Sequence, residues 1–371
     1  MSVYVGLMSG TSLDGVDAVA VSWPDDDAPA MQVCAHVHRS FEPAVRARLL
    51  ALLQSQPGEL EHAAAAALAV SHAYADAIDA LLPQANLQPT EVRAVGAHGQ
   101  TVRHRPQAVE GGFTIQLLNG ALLAERCGID VVCDLRSRDI AAGGQGAPLV
   151  PAFHADRFGA AGQARAVLNL GGIANVTLLH ADGSVGGFDT GPANVLLDAW
   201  AGEHLGVAYD DQGQWAASGR VDARLLRRLL SEPYFQRPPP KSTGRDLFHL
   251  PWLQSHLATH GRSPAAADVQ ATLADLTASS VASALQRHLP DARELWVCGG
   301  GALNRHLLTR LASQLAGWKV CTTDALGLPP QQVEAAAFAW LAREFTARRA
   351  GNRPDVTGAR GPRLLGCLYP A

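Results

Sequence analysis

One order of predicted elements occurs twice along the chain, and this repetition constrains the fold more than any other feature. Each time, three strands in hairpin connection precede alternating helices and strands. The hairpin strands are predicted at 2–8, 16–23 and 31–41, and again at 166–170, 174–180 and 184–189. Shared sequence between the halves is slight, so the prediction rests on element order. It is an α/β chain whose two similar domains face a central cleft, where ligands commonly bind.

The domain boundary is predicted where the periodic pattern stops. Residues 136–148 (RSRDIAAGGQGAP) break it with glycine and proline. We therefore predict an N-terminal domain at 1–145 and a C-terminal domain at 146–349, with the tail at 350–371 a candidate to return to the first domain. The proline-rich stretch 234–246 (YFQRPPPKSTGRD) cannot be regular and is predicted as a loop of the second domain.

Composition and charge exclude several classes of protein. The formal net charge is −4, so no basic excess is available to meet nucleic-acid phosphates, and we expect no nucleic-acid partner. The sequence has no charge-free apolar stretch of 18 residues and no signal peptide, so we expect no membrane association and a cytoplasmic location. Its six cysteines form no CxxC pair, which favours reduced thiols over a zinc site.

Three glycine-rich turns share one design. They lie at 9–15 (SGTSLDG), 169–175 (NLGGIAN) and 298–304 (CGGGALN), each after an apolar strand. Glycine lets backbone amides approach an anion closely, and successive N–H groups in such turns form an anion-binding concavity. One such turn is ordinarily a plain strand connection, but three on one chain favour a nucleotide. The chain has neither a GxxxxGK[ST] loop nor a strand–GxGxxG–helix unit.

Polar side chains of the first turn extend this prediction. The hydroxyls of Thr11 and Ser12 are placed to meet the phosphates. Asp14 or Asp17 is expected to hold a cation that screens the phosphates, through water, since Mg²⁺ dehydrates reluctantly. The third turn opens a helix, whose N-terminus carries partial positive charge and which Asn304 is expected to cap.

Seven motifs together make the chain recognisable. They run in order from residue 6 to residue 304: GLMSGTSLDGVDAV, AHGQTVRHRP, GGQGAPLVP, LNLGGIANVT, GFDTGPAN, PPPKSTGRDLF and VCGGGALN. In this set the chain resembles the anhydro-N-acetylmuramic acid kinase family, of the superfamily of sugar kinases, heat-shock 70 ATPases and actin. The resemblance implies two actin-like (ribonuclease H-like) domains and the cofactors ATP and Mg²⁺. It also suggests a homodimer, a state that the sequence alone does not decide.

The resemblance further implies a reaction of bacterial cell-wall recycling. The substrate is 1,6-anhydro-N-acetylmuramic acid, whose anhydro bridge is opened hydrolytically and whose O6 is phosphorylated, giving N-acetylmuramic acid 6-phosphate and ADP. Asp189 follows an apolar strand in GGFDTGP and fits a general base that activates the attacking water. Taken without the family, an Asp before a helix start is also a common cap.

The remaining site residues are assigned with the same resemblance. The predicted nucleotide-binding residues are Gly10, Thr11, Ser12, Leu13, Asp14, Gly15, Val16, Asp17, Gly171, Gly172, Asn175, Gly300 and Gly301. The predicted substrate-binding residues are Ser9, Asp14, His98, Gln100, Thr101, Arg136 and Glu334. Within the second set, Arg136 is expected to pair with the lactyl carboxylate, since arginine suits planar bidentate partners. For the motif at 241–245 (KSTGR), a phosphate contact and a structural loop stay equally open.

Three other functions are compatible with this fold class. A kinase for an ordinary sugar or small alcohol would use Asp189 on the substrate hydroxyl and consume no water. An actin- or heat-shock-70-like ATPase would need a partner-binding or polymerisation segment, which the sequence does not suggest. A sugar-responsive regulator would need a DNA-binding segment and a basic face, and neither is evident. Fold alone does not separate these functions, because function lies in the site.

Overall fold

The computed structural model describes residues 1–10, 12–24, 30–55, 57–108, 111–261 and 263–371. The chain divides into two compact units. Unit 1 comprises Met1–Arg157 and Gln332–Ala371, and unit 2 comprises Phe158–Gln331. Thr11, a predicted phosphate contact, lies outside the described residues.

The strands are β1 (Ser2–Met8), β2 (Gly15–Trp23), β3 (Gln32–Ser40), β4 (Val92–Ala97), β5 (Gln100–Arg105), β6 (Phe113–Leu117), β7 (Val131–Cys133), β8 (Arg165–Leu170), β9 (Ile173–Leu179), β10 (Val185–Pro192), β11 (Glu294–Cys298), β12 (Lys319–Thr322) and β13 (Cys367–Tyr369). The α-helices are α1 (Pro43–Ala51), α2 (Glu59–Ala85), α3 (Gly120–Cys127), α4 (Ser137–Ala141), α5 (Val150–Phe158), α6 (Asn194–Leu205), α7 (Gln214–Ser218), α8 (Ala223–Leu229), α9 (Leu250–Ala258), α10 (Ala266–His288), α11 (Arg305–Gln314), α12 (Val333–Thr346) and α13 (Pro354–Thr357). Short 3₁₀ turns lie at Pro89–Glu91, Asp211–Gly213, Pro233–Gln236, Gly300–Leu303, Thr323–Leu326 and Pro330–Gln332.

The main sheets of the two units have the same arrangement. In unit 1 the order is β13-β7-β4-β1-β2-β3, with β1, β2 and β3 antiparallel and β4 and β7 parallel to β1. In unit 2 the order is β10-β9-β8-β11-β12, with three antiparallel strands followed by two parallel ones. The predicted repetition is confirmed, as is the α/β class with two similar ribonuclease H-like units.

The structure divides the chain at different points from those predicted. Residues 146–157 and 332–349 were expected in the second domain, and both belong to unit 1. The glycine-rich break at 136–148 marks a loop inside unit 1 and contains α4. Glycine and proline signal an irregular path, which a loop within a domain needs as much as a linker does.

Helix α12 belongs to unit 1 because two glycines let it lie directly on the sheet. A Cβ on Gly6 of β1 would lie 1.9 Å from the carbonyl oxygen of Ala335. A Cβ on Gly96 of β4 would lie 1.9 Å from the carbonyl oxygen of Phe338. The tail after α12 also returns to unit 1, where β13 pairs with β7.

The core of unit 1 explains its longest helix. Helix α2 is long and apolar enough, by length and composition, to cross a membrane. Half of its most apolar window is buried, and the helix packs against β2 and β3. Buried side chains that include Val70, Tyr74 and Ile78 join the same apolar cluster as the sheet. These features are those of a core helix.

Candidate active site

Asp189 lies at an irregularity in the edge strand of unit 2. In the pairing of β10 with β9, Asp189 is opposite Asn175 and Gly191 is opposite Ala174, so Thr190 is an extra residue. Such bulges re-aim side chains and are frequent beside active sites. The bulge therefore gives the Asp189 carboxylate a direction that a regular strand would not.

Three hydrogen bonds connect Asp189 with the segment 234–243. The backbone N–H of Thr243 donates to Asp189 Oδ2 over 3.0 Å. The backbone N–H of Asp189 donates to the Lys241 carbonyl over 3.2 Å, and the Tyr234 hydroxyl donates to the Asp189 carbonyl over 2.6 Å. No hydrogen bond to Asp189 Oδ1 is made within the described part of the chain. One carboxylate oxygen is thus fixed, and the other can accept a proton from a ligand.

The environment raises the pKa of Asp189 to about 6. Burial is the main cause, because it disfavours the charged form. The hydrogen bond from Thr243 and the charge of Lys241 act in the opposite direction and limit the rise. A carboxyl with this pKa is mostly ionised at neutral pH and is a stronger base than an exposed aspartate.

Lys241 and Thr243 belong to the motif whose role was left open. Lys241 Nζ donates to the carbonyls of Tyr234 and Phe235 over 3.3 and 3.5 Å and lies 4.7 Å from the centre of the Tyr234 ring. The motif therefore packs on itself and presents its backbone to Asp189. Sequence analysis missed Tyr234, although its place in the same proline-rich stretch was a usable signal.

Two glycine-rich turns of unit 2 meet at one edge of the sheet. Strands β8 and β11 are parallel neighbours, so their carboxyl ends lie side by side. Gly171 and Gly172 follow β8, and their carbonyls accept N–H groups from the start of α6 at 3.0–3.1 Å. Gly300 follows β11, and a Cβ there would meet no atom within 4 Å. This edge is where α/β sheets commonly bind ligands.

The third turn has the predicted helix cap. The Asn304 side chain accepts the Leu307 N–H over 2.9 Å at the start of α11, which confirms that expectation. Gly299 has φ +81°, and a Cβ there would lie 2.2 Å from Asn169 Oδ1. The turn therefore needs glycine for its own path as well as for any ligand.

In unit 1, hydrogen bonds from buried side chains hold the first glycine-rich turn, residues 9–15, in place. The Ser9 hydroxyl contacts the Tyr74 hydroxyl over 2.8 Å and donates to the Gly99 carbonyl over 3.1 Å. Gln100 Nε2 donates to the Gly10 carbonyl over 3.1 Å. These bonds bring together three predicted positions: Ser9, Gly10 and Gln100. Thr101 lies next in β5 and accepts a hydrogen bond from Gln116 over 3.0 Å.

The other residues of this turn differ in which of their atoms a ligand could contact. Ser12 donates to Asp14 Oδ1 over 2.8 Å, and both are exposed. Leu13 and Val16 are buried in the apolar core, so only their backbone can meet a ligand. Gly15 lies against β3, where a Cβ would be 2.2 Å from a backbone carbonyl.

Asp17 is already engaged by two histidines. Its Oδ1 contacts His36 Nε2 over 3.0 Å and His38 Nδ1 over 3.1 Å. Burial raises the pKa of Asp17, and the two histidines outweigh it, so the net shift is downward. Of the two predicted metal positions, Asp14 therefore has the less occupied carboxylate.

Arg136 is built into unit 1 rather than lying on its surface. Its Nε and Nη2 donate to His98 Nε2 over 3.1 and 2.9 Å, and its Nη1 donates to the Gly146 carbonyl over 2.8 Å. Burial lowers the pKa of Arg136 to about 10, against the charges of Glu334 and Asp139. Glu334 lies in the first turn of α12, so the structure brings it into the electrostatic environment of Arg136.

His98 stays neutral beside this cation. Burial, followed by the charge of Arg136, lowers the pKa of His98 to about 3. A neutral imidazole can accept at Nε2, which it does from Arg136. His98 and Arg136, each predicted separately as a substrate contact, thus form a hydrogen-bonded unit.

Asp139 is a buried residue that sequence analysis missed. Its Oδ2 accepts the Gly146 N–H over 2.8 Å. Its Oδ1 accepts the Asn352 amide over 2.7 Å and the Thr357 hydroxyl over 2.8 Å. A Cβ on Gly144 would lie 2.2 Å from Oδ2, so the loop wraps tightly around this carboxylate. Asp139 thereby fixes the segment around Gly146, which Arg136 contacts. It also connects the 350–371 tail to this segment by hydrogen bonds.

Comparison with known proteins decides the family. The anhydro-N-acetylmuramic acid kinase family profile matches residues 2–371. The chain belongs to this family. Its relatives include the anhydro-N-acetylmuramic acid kinases of Bordetella petrii, 57% identical over 371 residues (100% of this chain and 96% of that protein), and of Cupriavidus pinatubonensis, 54% identical over 370 residues (99% and 98%).

Membership in the anhydro-N-acetylmuramic acid kinase family confirms the predicted kinase function and, with it, the context of peptidoglycan recycling. It sets aside the regulator and the partner-binding ATPase as alternatives. Among solved structures, an activator of 2-hydroxyisocaproyl-CoA dehydratase from Clostridium difficile with bound ADPNP aligns with TM-score 0.49 and 14% identity, covering 93% of this chain and 96% of that one.

Proposed function

We propose that this chain uses ATP to convert 1,6-anhydro-N-acetylmuramic acid into N-acetylmuramic acid 6-phosphate, with Asp189 as the general base. The observation that carries the proposal is the Asp189 carboxylate, half-buried, with one oxygen held by Thr243 and a pKa raised to about 6. A base for water at neutral pH needs this combination of fixed position and raised basicity.

The proposed reaction balances as a hydrolysis coupled to phosphoryl transfer. Asp189 accepts a proton from water while the water oxygen bonds to C1 of the sugar. The C1–O6 bond breaks, and O6 bonds to the γ-phosphorus as the bond to ADP breaks. The proton leaves Asp189 for solvent, so each turnover consumes one ATP and one water.

Nucleotide contacts are proposed for both units. In unit 2 they are Gly171, Gly172, Asn175, Gly300 and Gly301, at the sheet edge where β8 and β11 end. In unit 1 they lie in the Gly10–Asp17 turn, through Ser12, Thr11 and backbone amides. Open space around Gly300 supports a role in admitting the nucleotide.

The residues present fit a Mg²⁺ ion carried by the nucleotide. In the described ranges no group of three His, Cys, Asp or Glu side chains could hold a metal ion. Mg²⁺ on nucleotides needs only one or two carboxylates, commonly with water between. Asp14 is proposed for this place ahead of Asp17, whose Oδ1 the histidines occupy. When bound, the ion would neutralise charge on the transferring phosphate.

The sugar contacts are proposed for unit 1. Arg136 has N–H groups beyond those used by His98 and Gly146, and a buried guanidinium gains from a carboxylate partner such as the lactyl group. Ser9, His98, Gln100, Thr101 and Glu334 complete the proposed set.

ATP use supports a cytoplasmic location, and a homodimer stays a prediction that light scattering can check.

The proposal is tested by product analysis. Purified protein is incubated with ATP, Mg²⁺ and the anhydro sugar, and ADP and sugar phosphate are followed by mass spectrometry. We expect equal amounts of ADP and ring-opened 6-phosphate, lost in Asp189→Asn. Asp182→Asn is the matched control, because Asp182 is an exposed aspartate of the same unit that bonds only its own turn. Phosphorylation of N-acetylmuramic acid itself, with the anhydro sugar untouched, would instead favour an ordinary sugar kinase.

A further inference from the structure

Unit 2 contains a cavity that the proposed reaction does not use. It has a volume of about 280 Å³ and is lined by Phe188 and Thr190 of β10, the C-terminal end of α10, and the 230–241 segment. We call it the α10 cavity. The lining residues that the structure describes include neither Asp189 nor any residue of the glycine-rich turns at 169–175 and 298–304.

Two cationic groups line the α10 cavity without a carboxylate in direct contact in the described part of the chain. Lys241 and Arg287 are the cations of its wall, and His288 lies beside them as a neutral imidazole, because burial and then their charges lower its pKa. Within the described ranges none of the three forms an ion pair with a carboxylate. Burial, and then the charges of Arg287 and Arg237, lower the pKa of Lys241, and the charge of Asp189 offsets this only in part. Like charges gathered around an open volume repel each other, and an anion in that volume would relieve the repulsion.

The wall also supplies hydrogen-bond donors. Lys241 Nζ uses two of its three N–H groups on the carbonyls of Tyr234 and Phe235, which leaves one for a ligand. Ser283 and Arg287 are exposed residues of α10 at the cavity rim. The C-terminus of α10 carries about half a negative charge, which explains a basic residue there but not Lys241. Two full cations outweigh that half charge and keep the cavity attractive to an anion.

We propose that the α10 cavity binds a small phosphate-type anion, either free phosphate or a phosphate monoester, through Lys241 and Arg287. Such a site is distinct from the nucleotide contacts, which lie at the sheet edge after β8 and β11. It communicates with Asp189 because Lys241 also accepts the Asp189 N–H, and Thr243, two residues on, donates to its carboxylate. The site rests on the geometry of unit 2 and does not depend on the identity of the sugar.

Calorimetric titration of inorganic phosphate into the full chain, against chloride at equal ionic strength, tests the site. The titration is done with AMPPNP and Mg²⁺ present, so that the nucleotide contacts are occupied. We expect saturable binding that weakens about tenfold or more in Arg287→Gln, because a charge-assisted hydrogen bond is lost. Arg224→Gln is the matched control, since Arg224 is an exposed arginine on α8, outside the cavity wall.

Three results would overturn the proposal: no saturable phosphate binding, equal affinity in Arg287→Gln, or binding that occurs only without AMPPNP. Arg287 is exposed, so its variant is expected to fold and to keep basal turnover in phosphate-free buffer. N-acetylglucosamine 6-phosphate in place of phosphate separates the sources: tighter binding supports a monoester, and equal or weaker binding supports free phosphate. Because the titration needs no turnover, its failure leaves the proposed kinase reaction untouched.

Discussion

The backbone N–H of Thr243 lies 3.0 Å from Oδ2 of Asp189 and donates a hydrogen bond to it. The two residues are 54 positions apart, and the contact joins the proline-rich loop to the bulged strand. The loop thus fixes the position of one carboxylate oxygen of the proposed base. This relationship explains why the KSTGR motif accompanies the GFDTGP motif in the sequence.

The turnover number is expected to fall on the acid side with an apparent pKa of about 6. Asp189 works as a base only when ionised, so each pH unit below this value lowers kcat about tenfold. The charge of Lys241 lowers the pKa of Asp189, so Lys241→Met is expected to move the acid limb to higher pH. The measurement is kcat at saturating substrate from pH 5 to 8. A flat profile in the wild type would contradict the assignment.

Asp189→Asn is expected to be more stable than the wild type at pH 7.5 while being inactive. The pKa of Asp189 is raised from 3.8 to about 6 in the folded state, so ionisation destabilises the fold above pH 3.8 and fully so above pH 6. A shift of this size corresponds to at most about 3 kcal/mol. Thermal unfolding at pH 7.5 and pH 4 tests this: the stability gain should be present at pH 7.5 and small at pH 4. A loss of stability in Asp189→Asn at pH 7.5 would contradict a raised pKa of Asp189 in the folded protein.

Asp139→Asn is expected to weaken sugar binding and destabilise unit 1. All three hydrogen bonds at its carboxylate come from donors, so an amide nitrogen would face a donor in either orientation. We expect a loss of about 1.5–3 kcal/mol in unfolding free energy. The KM for the anhydro sugar should rise while the KM for ATP stays near the wild-type value, because the Gly146 segment contacts Arg136. Asp134→Asn, at an exposed position in the same segment, is the control and should change neither quantity appreciably.

Gly6→Ala is expected to destabilise the protein by at least about 3 kcal/mol or to abolish folding, since its Cβ would overlap the Ala335 carbonyl oxygen. Gly202→Ala is the opposite case, because it is inside α6 and its Cβ would meet no atom closer than 3.7 Å. That variant should be more stable by about 0.5–1 kcal/mol. Thermal unfolding of both variants is the measurement. Similar melting temperatures for the two would show that α12 does not lie as closely on β1 as described.

Sequence periodicity predicted the hairpin strands of the two main sheets well, because such strands are local and their apolar alternation is read directly. It did not predict β5, since the polar residues Gln100 and Thr101 concealed the strand. It also did not predict that α12 returns to unit 1. That packing depends on Gly6 and Gly96, more than 200 residues upstream of the helix, and no local pattern records such a contact.

The residues of the candidate site also fall into two groups: those that a sequence motif indicates and those that only the folded chain shows. Residues in the glycine-rich turns and Asp189 were accessible through motif chemistry. Asp139 was not, because a buried aspartate between Arg138 and Ile140 is indistinguishable in sequence from a solvated one. Its partners Asn352 and Thr357 lie in the tail, so only the folded chain shows that three donors converge on it.

The central claim is that Asp189 activates water to open the anhydro bridge during phosphoryl transfer. The most direct measurement is the reaction of the anhydro sugar with ATP and Mg²⁺ in ¹⁸O-water, with the product analysed early, before the free anomeric hydroxyl exchanges. The account predicts one ¹⁸O at C1 of the 6-phosphate for each ADP formed, and neither product in Asp189→Asn. Product formed at an undiminished rate by Asp189→Asn, or a 6-phosphate without label at C1, would contradict it.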